Sequence, residues 1–392
     1  MKLLQLNVTA NWGSTGKIAE GIGKAVMARG WDSTIAYGRY MNPSASKLLK
    51  VGSKLDVYAH YAKSRLFDGE GLGSKSATRK LISQIKELSP NIIHLHNIHD
   101  HWLNYPILFE YFASINTPIV WTFHDCWAFT GGCPYFDIPY CEKWQFQCIS
   151  CDGKPKHLRS EFHYHLRKKL ISTLGKRLTI VPVSKWLEEY CYDSMLNKSN
   201  INLIHNGIDV NRFNIFSVKS EKPAALGVAL PWTLRKGLQS IIKLREIIPD
   251  DKLDIILVGL SKKQINNLPK GIIGIERTQD IKELASLYSQ AHVFVNPTIS
   301  DNFPTVNLEA LACGTPVVTY RTGGSPEAVD DKTGIIVEKG DVEGLAKAVN
   351  CIIEHPESYT AEDCRKRAVE NFNQDIQFNK YIDLYEELLS NS

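Results

Sequence analysis

The chain has 392 residues, enough for two domains of ordinary size that each bury a core of their own. With 43% hydrophobic and 22% charged residues it is globular in composition, which excludes a disordered or fibrous protein, and a net charge of +4 is too small to imply nucleic-acid binding. No apolar run approaches the roughly 18 residues that cross a bilayer, and the stretch from Met1 to Val8 is too short for a signal peptide, so a cytoplasmic location is expected.

Strand-like apolar runs alternate with helical patterns along the whole chain, the signature of parallel sheets covered by helices on both faces. The first strand is expected over 2–8, then a loop over 9–16, an amphipathic helix over 17–29 and a second strand over 33–37. Later strands of this half fall at 92–96, Ile119–Phe123 and 178–183, with a cysteine-rich insertion at about 126–155 and a helix over 162–174. A second series has strands at 224–229, 254–259, Ile272–Ile275, Val293–Asn296, 316–320 and Gly334–Val337. The expected class is α/β, with two doubly wound Rossmann-like domains at 1–205 and 206–374 and a C-terminal helix within 375–392 packing back on the N-terminal one. Ligands of open parallel sheets sit beyond the carboxyl ends of the strands, so two facing domains would put the site in the cleft between them.

Gly13-Ser14-Thr15-Gly16 follows the first strand, where glycines let backbone approach a ligand closely. It is not a Walker A loop, because Asn11 replaces the first glycine and Ile18 the Ser or Thr, and a tight strand-to-helix turn explains it equally well. His94, His96, His99 and His101 cluster at a strand end; alternation puts His94 and His96 on one face, which favours hydrogen-bonded rim histidines over a metal site. His124 and Asp125 end the strand Ile119–Phe123 at the rim. A histidine there can donate to a sugar hydroxyl or polarise a leaving group, and a structural role is the competing reading.

Five of the nine cysteines (Cys126, Cys133, Cys141, Cys148, Cys151) share one segment. Disulfides are disfavoured in a reducing compartment. Cys148 and Cys151 have the gap of a zinc knuckle, which Cys133 and Cys141 would complete, but the second close pair is missing, so reduced thiols that pack are preferred to a structural zinc. The basic stretch 154–177 suits either a surface helix or one lying against an anionic membrane or lipid-linked substrate. Arg235-Lys236-Gly237 follows the first strand of the second half, where two cations could neutralise a diphosphate, or form a solvated pair.

The stretch 300–318 places Asp301 and Glu309 eight positions apart around a helix start. Pro304 suits the first helical position, Asp301 and Asn302 suit free amides, and Gly314 suits the stop of a helix of about three turns. Asn302, Thr305 and Glu309 recur at spacings that share one face or its entry. A helix amino end suits a phosphate and flanking carboxylates suit hydroxyls, which together describe a sugar nucleotide; the competing reading of the motif in isolation is an N-cap at Asp301 and a solvated helix residue at Glu309.

With these residues the chain resembles glycosyltransferase family 4, the retaining transferases of the GT-B fold. The matching residues are Pro182-Val183-Ser184, the run from His205 to Asp209 before Phe213, Arg235-Lys236-Gly237, Leu257-Val258-Gly259, Leu284 through Tyr288 before Ala291, Val295-Asn296-Pro297 into Asp301 to Val318, and Gly323 to Glu327. The run from His124 to Cys133 further resembles the branch that builds capsular and colanic-acid-like surface polysaccharides. The resemblance implies that Asp301 contacts the donor sugar, Glu309 binds the ribose, and the backbone through Asn302, Phe303, Pro304 and Thr305 holds sugar hydroxyls and phosphate. It implies that Lys236 with Arg235 compensates the leaving diphosphate, that His124 lies near the donor sugar, and that Gly13 and Gly16 form the loop under the phosphates. Two departures stand out: Asp301 replaces the usual glutamate, and Pro231 falls where an arginine is usual.

The function this implies is a metal-independent retaining transferase, with a nucleotide-sugar co-substrate, UDP-linked, and a glycan or lipid-linked saccharide as acceptor, and with no cofactor. A sugar-nucleotide epimerase, a phosphorylase or a non-catalytic sugar-nucleotide-binding module are the alternatives.

Overall fold

A computed structural model of the chain describes residues 1–138, 141–148 and 161–391. Its strands form two sheets, of seven and six strands, with every strand pair parallel. Each sheet belongs to its own compact unit, one made of Met1–Ile204 with Phe378–Ser392 and the other of His205–Gln377.

In the first unit the strands are β1 (Lys2–Asn7), β2 (Asp32–Tyr37), β3 (Lys47–Lys50), β4 (Ile92–Leu95), β5 (Ile119–Phe123), β6 (Leu178–Pro182) and β7 (Asn200–Ile201), in the order β3-β2-β1-β4-β5-β6-β7. Helices cover both faces, so β4, β5 and β6 are buried at every residue and read as continuous apolar runs rather than alternating ones. The edge strands β3 and β7 escaped the sequence reading for the same reason inverted: one is four residues flanked by lysines and partly exposed, the other two residues.

Strands β8 (Ala224–Val228), β9 (Asp254–Val258), β10 (Ile272–Ile275), β11 (Val293–Asn296), β12 (Val317–Tyr320) and β13 (Gly334–Val337) form the second sheet in the order β10-β9-β8-β11-β12-β13. In both sheets the chain reverses its direction of winding beside the first strand, between β1 and β4 and between β8 and β11. These are the switch points where loops diverge and leave room for a ligand.

Three helices matter below: α1 (Gly13–Ala28), α2 (Thr305–Ala312) and α3 (Gln374–Ser390). From Phe378 onward α3 belongs to the first unit, and Phe378, Tyr381, Ile382, Leu384 and Tyr385 are buried in one cluster with Leu3, Ile18, Ile22, Val26, Ile92 and Val120. At about 1.5–3 kcal/mol for each large apolar side chain removed from water, this docking is a substantial share of the unit's stability.

The described part of the cysteine-rich segment is held by aromatic packing, with Phe129 against Trp144 (5.1 Å between ring centroids) and Phe136 against Tyr190 (4.9 Å). Among the described residues Cys133, Cys141 and Cys148 form no disulfide, and no cluster of three metal-binding side chains occurs. Cys151, the fourth member of the conceivable zinc set, and residues 154–160 of the basic stretch lie outside the described residues. Of the remaining bases, Arg167 donates to the Gly131 carbonyl (2.7 Å), Lys168 to that of Trp144 (2.8 Å) and Arg177 to those of Ala113 and Ile115 (3.1 and 3.0 Å). These three serve the unit's own carbonyls. Among the described residues no helix is long and apolar enough to cross a membrane.

Candidate active site

In the second unit the chain leaves β8, makes a tight turn over Leu234–Lys236 and reaches Gly237. This turn is stitched to the loop after β11: the Ile299 amide donates to the Arg235 carbonyl (2.8 Å), and the Arg235 guanidinium donates to the Ser300 carbonyl (2.7 Å). Lys236 is ion-paired with Oδ2 of Asp301, and Arg235 lies 3.7 Å from the same oxygen. Two cations thus share one carboxylate.

Two glycines make this approach feasible. A Cβ on Gly237 (φ 77°) would fall 1.9 Å from the Pro297 carbonyl oxygen, and one on Gly323 (φ 50°) 1.8 Å from that of Asp301. Both have the left-handed backbone that only glycine adopts without strain.

Helix α2 spans eight residues, about two turns rather than the three expected, and Pro304 is its N-cap residue instead of its first helical one. No side chain caps it, because the residue at the N-cap position is Pro304, whose ring carries no acceptor; Asp301, expected as a capping residue, lies three residues earlier, paired with the two cations. In the first turn the Asn307 amide turns back to the Pro304 carbonyl (3.2 Å). Asn302 is buried and precedes the helix, so it does not share a face with Thr305 and Glu309; its carbonyl accepts from the Gly324 amide (3.0 Å). The Phe303 carbonyl accepts from the Asn206 side chain (3.1 Å), while its ring packs on His205 (4.8 Å) and Phe372. Of the run from Asn302 to Thr305, these two carbonyls are thus occupied by the fold. One turn along, Glu309 accepts from the Tyr288 phenol (2.9 Å), whose pKa burial and that carboxylate raise well above its ordinary value.

A buried polar set anchors the loop that carries Gly323. Asn296 donates to Asn307 (2.8 Å), Asn307 donates to the Ser325 hydroxyl (3.0 Å), and Thr319 and Ser325 share a hydrogen bond (2.7 Å). Nearby, His205 and Glu327 pair at 3.0 Å.

In the first unit Gly13 has φ 66° and opens α1, whereas Gly16 is tight against the loop's own atoms, where a Cβ would lie 2.8 Å from Thr9 Oγ1. Gly13 lies beside a cavity of about 240 Å³, which Trp12, Arg39, Tyr40 and Asp100 also line. The Trp12 and Tyr40 rings are 4.9 Å apart and about half exposed.

His124 follows β5 and its Nε2 lies 3.1 Å from Nδ1 of His96, with the two rings stacked. Burial, against the opposing pull of Asp125, lowers its pKa to about 4. His99 behaves oppositely: burial depresses it, but the carboxylates of Asp125 (2.8 Å) and Asp100 outweigh that and hold it well above its ordinary value. A neutral histidine and a cationic one therefore stand side by side. His94 and His96 are fully buried, with ring centroids 4.1 Å apart; His94 shares hydrogen bonds with Thr122 (2.8 Å) and with the Tyr385 hydroxyl of α3 (2.6 Å).

The sequence reading did not assign roles to Tyr288, Asn307, Gln5 or Tyr385. Gln5 carried a signal, since it is a polar residue inside the otherwise apolar run Leu3-Leu4-Gln5-Leu6.

Two parallel sheets with cationic and acidic loops at the switch point of the second one define the two-domain, GT-B class of glycosyltransferases. The model of Glycosyltransferase Family 4 matches residues 16–212, and that of Glycosyl transferases group 1 matches 229–355. The chain belongs to glycosyltransferase family 4. It is 22% identical to WcaC of Escherichia coli K12, named as a colanic acid biosynthesis glycosyl transferase, over 99% of this chain and 100% of that one. Among solved structures it is similar to sucrose-phosphate synthase from Thermosynechococcus elongatus (TM-score 0.75, 18% identity, 100% of both chains covered). It is likewise similar to Anabaena HepE in complex with UDP-glucose (TM-score 0.67, 15% identity, 100% of both chains).

Proposed function

We propose that this glycosyltransferase moves a sugar from a UDP-linked donor to a hydroxyl of a glycan or lipid-linked saccharide in surface polysaccharide biosynthesis, with retention and without a metal. The observation that carries this reading is the convergence of Lys236, Arg235 and Asp301 beside the uncapped start of α2. Two cations beside the start of a helix are the electrostatic complement of a departing diphosphate, and they supply the charge that a divalent metal would otherwise bring. The bond from the anomeric carbon to the phosphate oxygen breaks and one to the acceptor oxygen forms; the departing phosphate oxygen takes the acceptor's proton. Among the described residues near this pair no side chain has the setting of a covalent nucleophile.

Glu309, held by Tyr288, is suited to accept from the ribose hydroxyls. His124 is assigned to the donor sugar, and Gly13 to the phosphate loop. The exposed Trp12 and Tyr40 rings beside Gly13 suit the apolar face of an acceptor sugar. UDP as the nucleotide is supported by the HepE complex, and surface polysaccharide as the product by the likeness to WcaC. Peripheral contact with the cytoplasmic face of the membrane would rest on the basic stretch 154–177.

The test is donor turnover over a panel of UDP-sugars, with and without EDTA. Turnover that survives EDTA and collapses in Lys236→Ala supports the reading; EDTA-sensitive turnover, or near-normal turnover in both Lys236→Ala and Glu309→Ala, removes it.

A further inference from the structure

The hydrogen-bond chain behind His124 has a direction, and the direction starts at an atom that cannot change roles. The Ala19 carbonyl oxygen in α1 only accepts, and it takes the side-chain amide of Gln5 at 2.8 Å. That contact turns Oε1 of Gln5, also only an acceptor, toward Nε2 of His96 at 3.0 Å. Nε2 of His96 must therefore carry the proton. A neutral imidazole carries one, and His96, fully buried and flanked by two other histidines, is held well below its ordinary pKa by burial first and by His94 and His124 second. Its Nδ1 is then an acceptor, and the partner nitrogen, Nε2 of His124, must donate across 3.1 Å. His124 is itself neutral near pH 7, so Nδ1 is its unprotonated nitrogen.

We infer that Gln5 and His96 are positioning residues that fix His124 as its Nε2–H tautomer, so that Nδ1 is an acceptor and any group bonded to it must bring the hydrogen. A phosphate oxygen or a carboxylate brings no hydrogen and would face a lone pair. The tautomer rests on the geometry of the first unit alone; its role in turnover rests on the assignment of His124 to the donor sugar. On this inference a histidine so held accepts through Nδ1 rather than donating through it.

Long-range proton–nitrogen spectra of the ¹⁵N-labelled wild-type protein at pH 7 test the first half without any variant, the His124 signals being identified by their absence in His124→Asn. A neutral ring protonated at Nε2 is expected; a ring protonated at Nδ1, or at both nitrogens, overturns the inference whatever the activity. Gln5→Met keeps the volume and removes the acceptor, which frees His96 to place its proton on Nδ1 and forces His124 into the opposite tautomer. With the melting profile retained, that switch should lower donor turnover roughly tenfold, the size of one lost oriented hydrogen bond. A switched tautomer with unchanged turnover overturns the positioning role. Failure of the wild-type protein to turn over any UDP-sugar would instead strike the functional reading and leave the tautomer result intact.

Discussion

At Asp301 one carboxylate oxygen holds both Lys236 and Arg235, so this residue orients the cations and also competes with any anion for them. Lys236→Ala is expected to lower donor turnover about 10²–10³-fold, the scale on which removing one preorganised charge-stabilising group acts, with circular dichroism unchanged. Asp301→Asn should act in the opposite sense on binding: with the cations released, calorimetry should find UDP binding several-fold tighter while turnover falls. Weaker UDP binding in Asp301→Asn would show that the carboxylate preorganises the cations more than it competes. Tyr288→Phe, which leaves Glu309 without its phenol donor, should raise KM for the nucleotide sugar with little change in kcat. The acid, the cations and the glycines were legible because each stands in a loop with its own local signature. Their sharing of a single oxygen was not, since Lys236 and Asp301 are 65 residues apart.

Among the elements, α2 departs most from expectation. Its missing cap follows from Pro304 at the N-cap position, which has no side-chain acceptor, while Asp301 three residues earlier is drawn into an ion pair by a loop from another strand. The loop carrying Gly323 closes on the same spot, and Gly323→Ala must either strain a positive φ or push back the Asp301 carbonyl. It should destabilise the second unit by about 1–3 kcal/mol, read as a lower denaturation midpoint, and lower turnover together with it because Asp301 moves. Helix α3 is the converse case, an amphipathic pattern plain in the sequence whose partner was not. Tyr385 and Tyr381 end on His94 and Thr122, so deleting the chain after Gln377 would strand buried polar groups as well as expose the apolar cluster of the first unit. That truncation should leave the protein insoluble or unfolded on expression.

For the whole molecule, the histidines set a pH dependence whose sign can be worked out. His94, His96 and His124 have folded values below the ordinary 6.5, so below that pH the unfolded chain binds protons that the folded one does not. Stability therefore falls as pH drops beneath 6.5, by about 1.4 kcal/mol per pH unit for each such group until its folded value is reached. His99 is raised, so its contribution is full below 6.5 and is lost as pH climbs through its folded value. Urea midpoints should peak near neutrality and fall steeply toward pH 5; a flat profile from pH 5 to 7 would mean that these rings are protonated in the folded state.

Read alone, the sequence determined the inner strands and several residues at their ends: the alternation of strand and helix, the glycines of tight loops, the basic turn after the first strand of the second half and the acids around α2. Those features follow from periodicity and from side-chain chemistry within a few residues. The tertiary structure alone decided the pairs: two cations on Asp301, Tyr288 on Glu309, Gln5 on His96 across 91 residues and Tyr385 on His94 across 291. In a doubly wound sheet the strands that lie side by side, β1 with β4 and β8 with β11, are far apart in the chain, so the loops that meet at their ends are joined by topology and not by any local pattern.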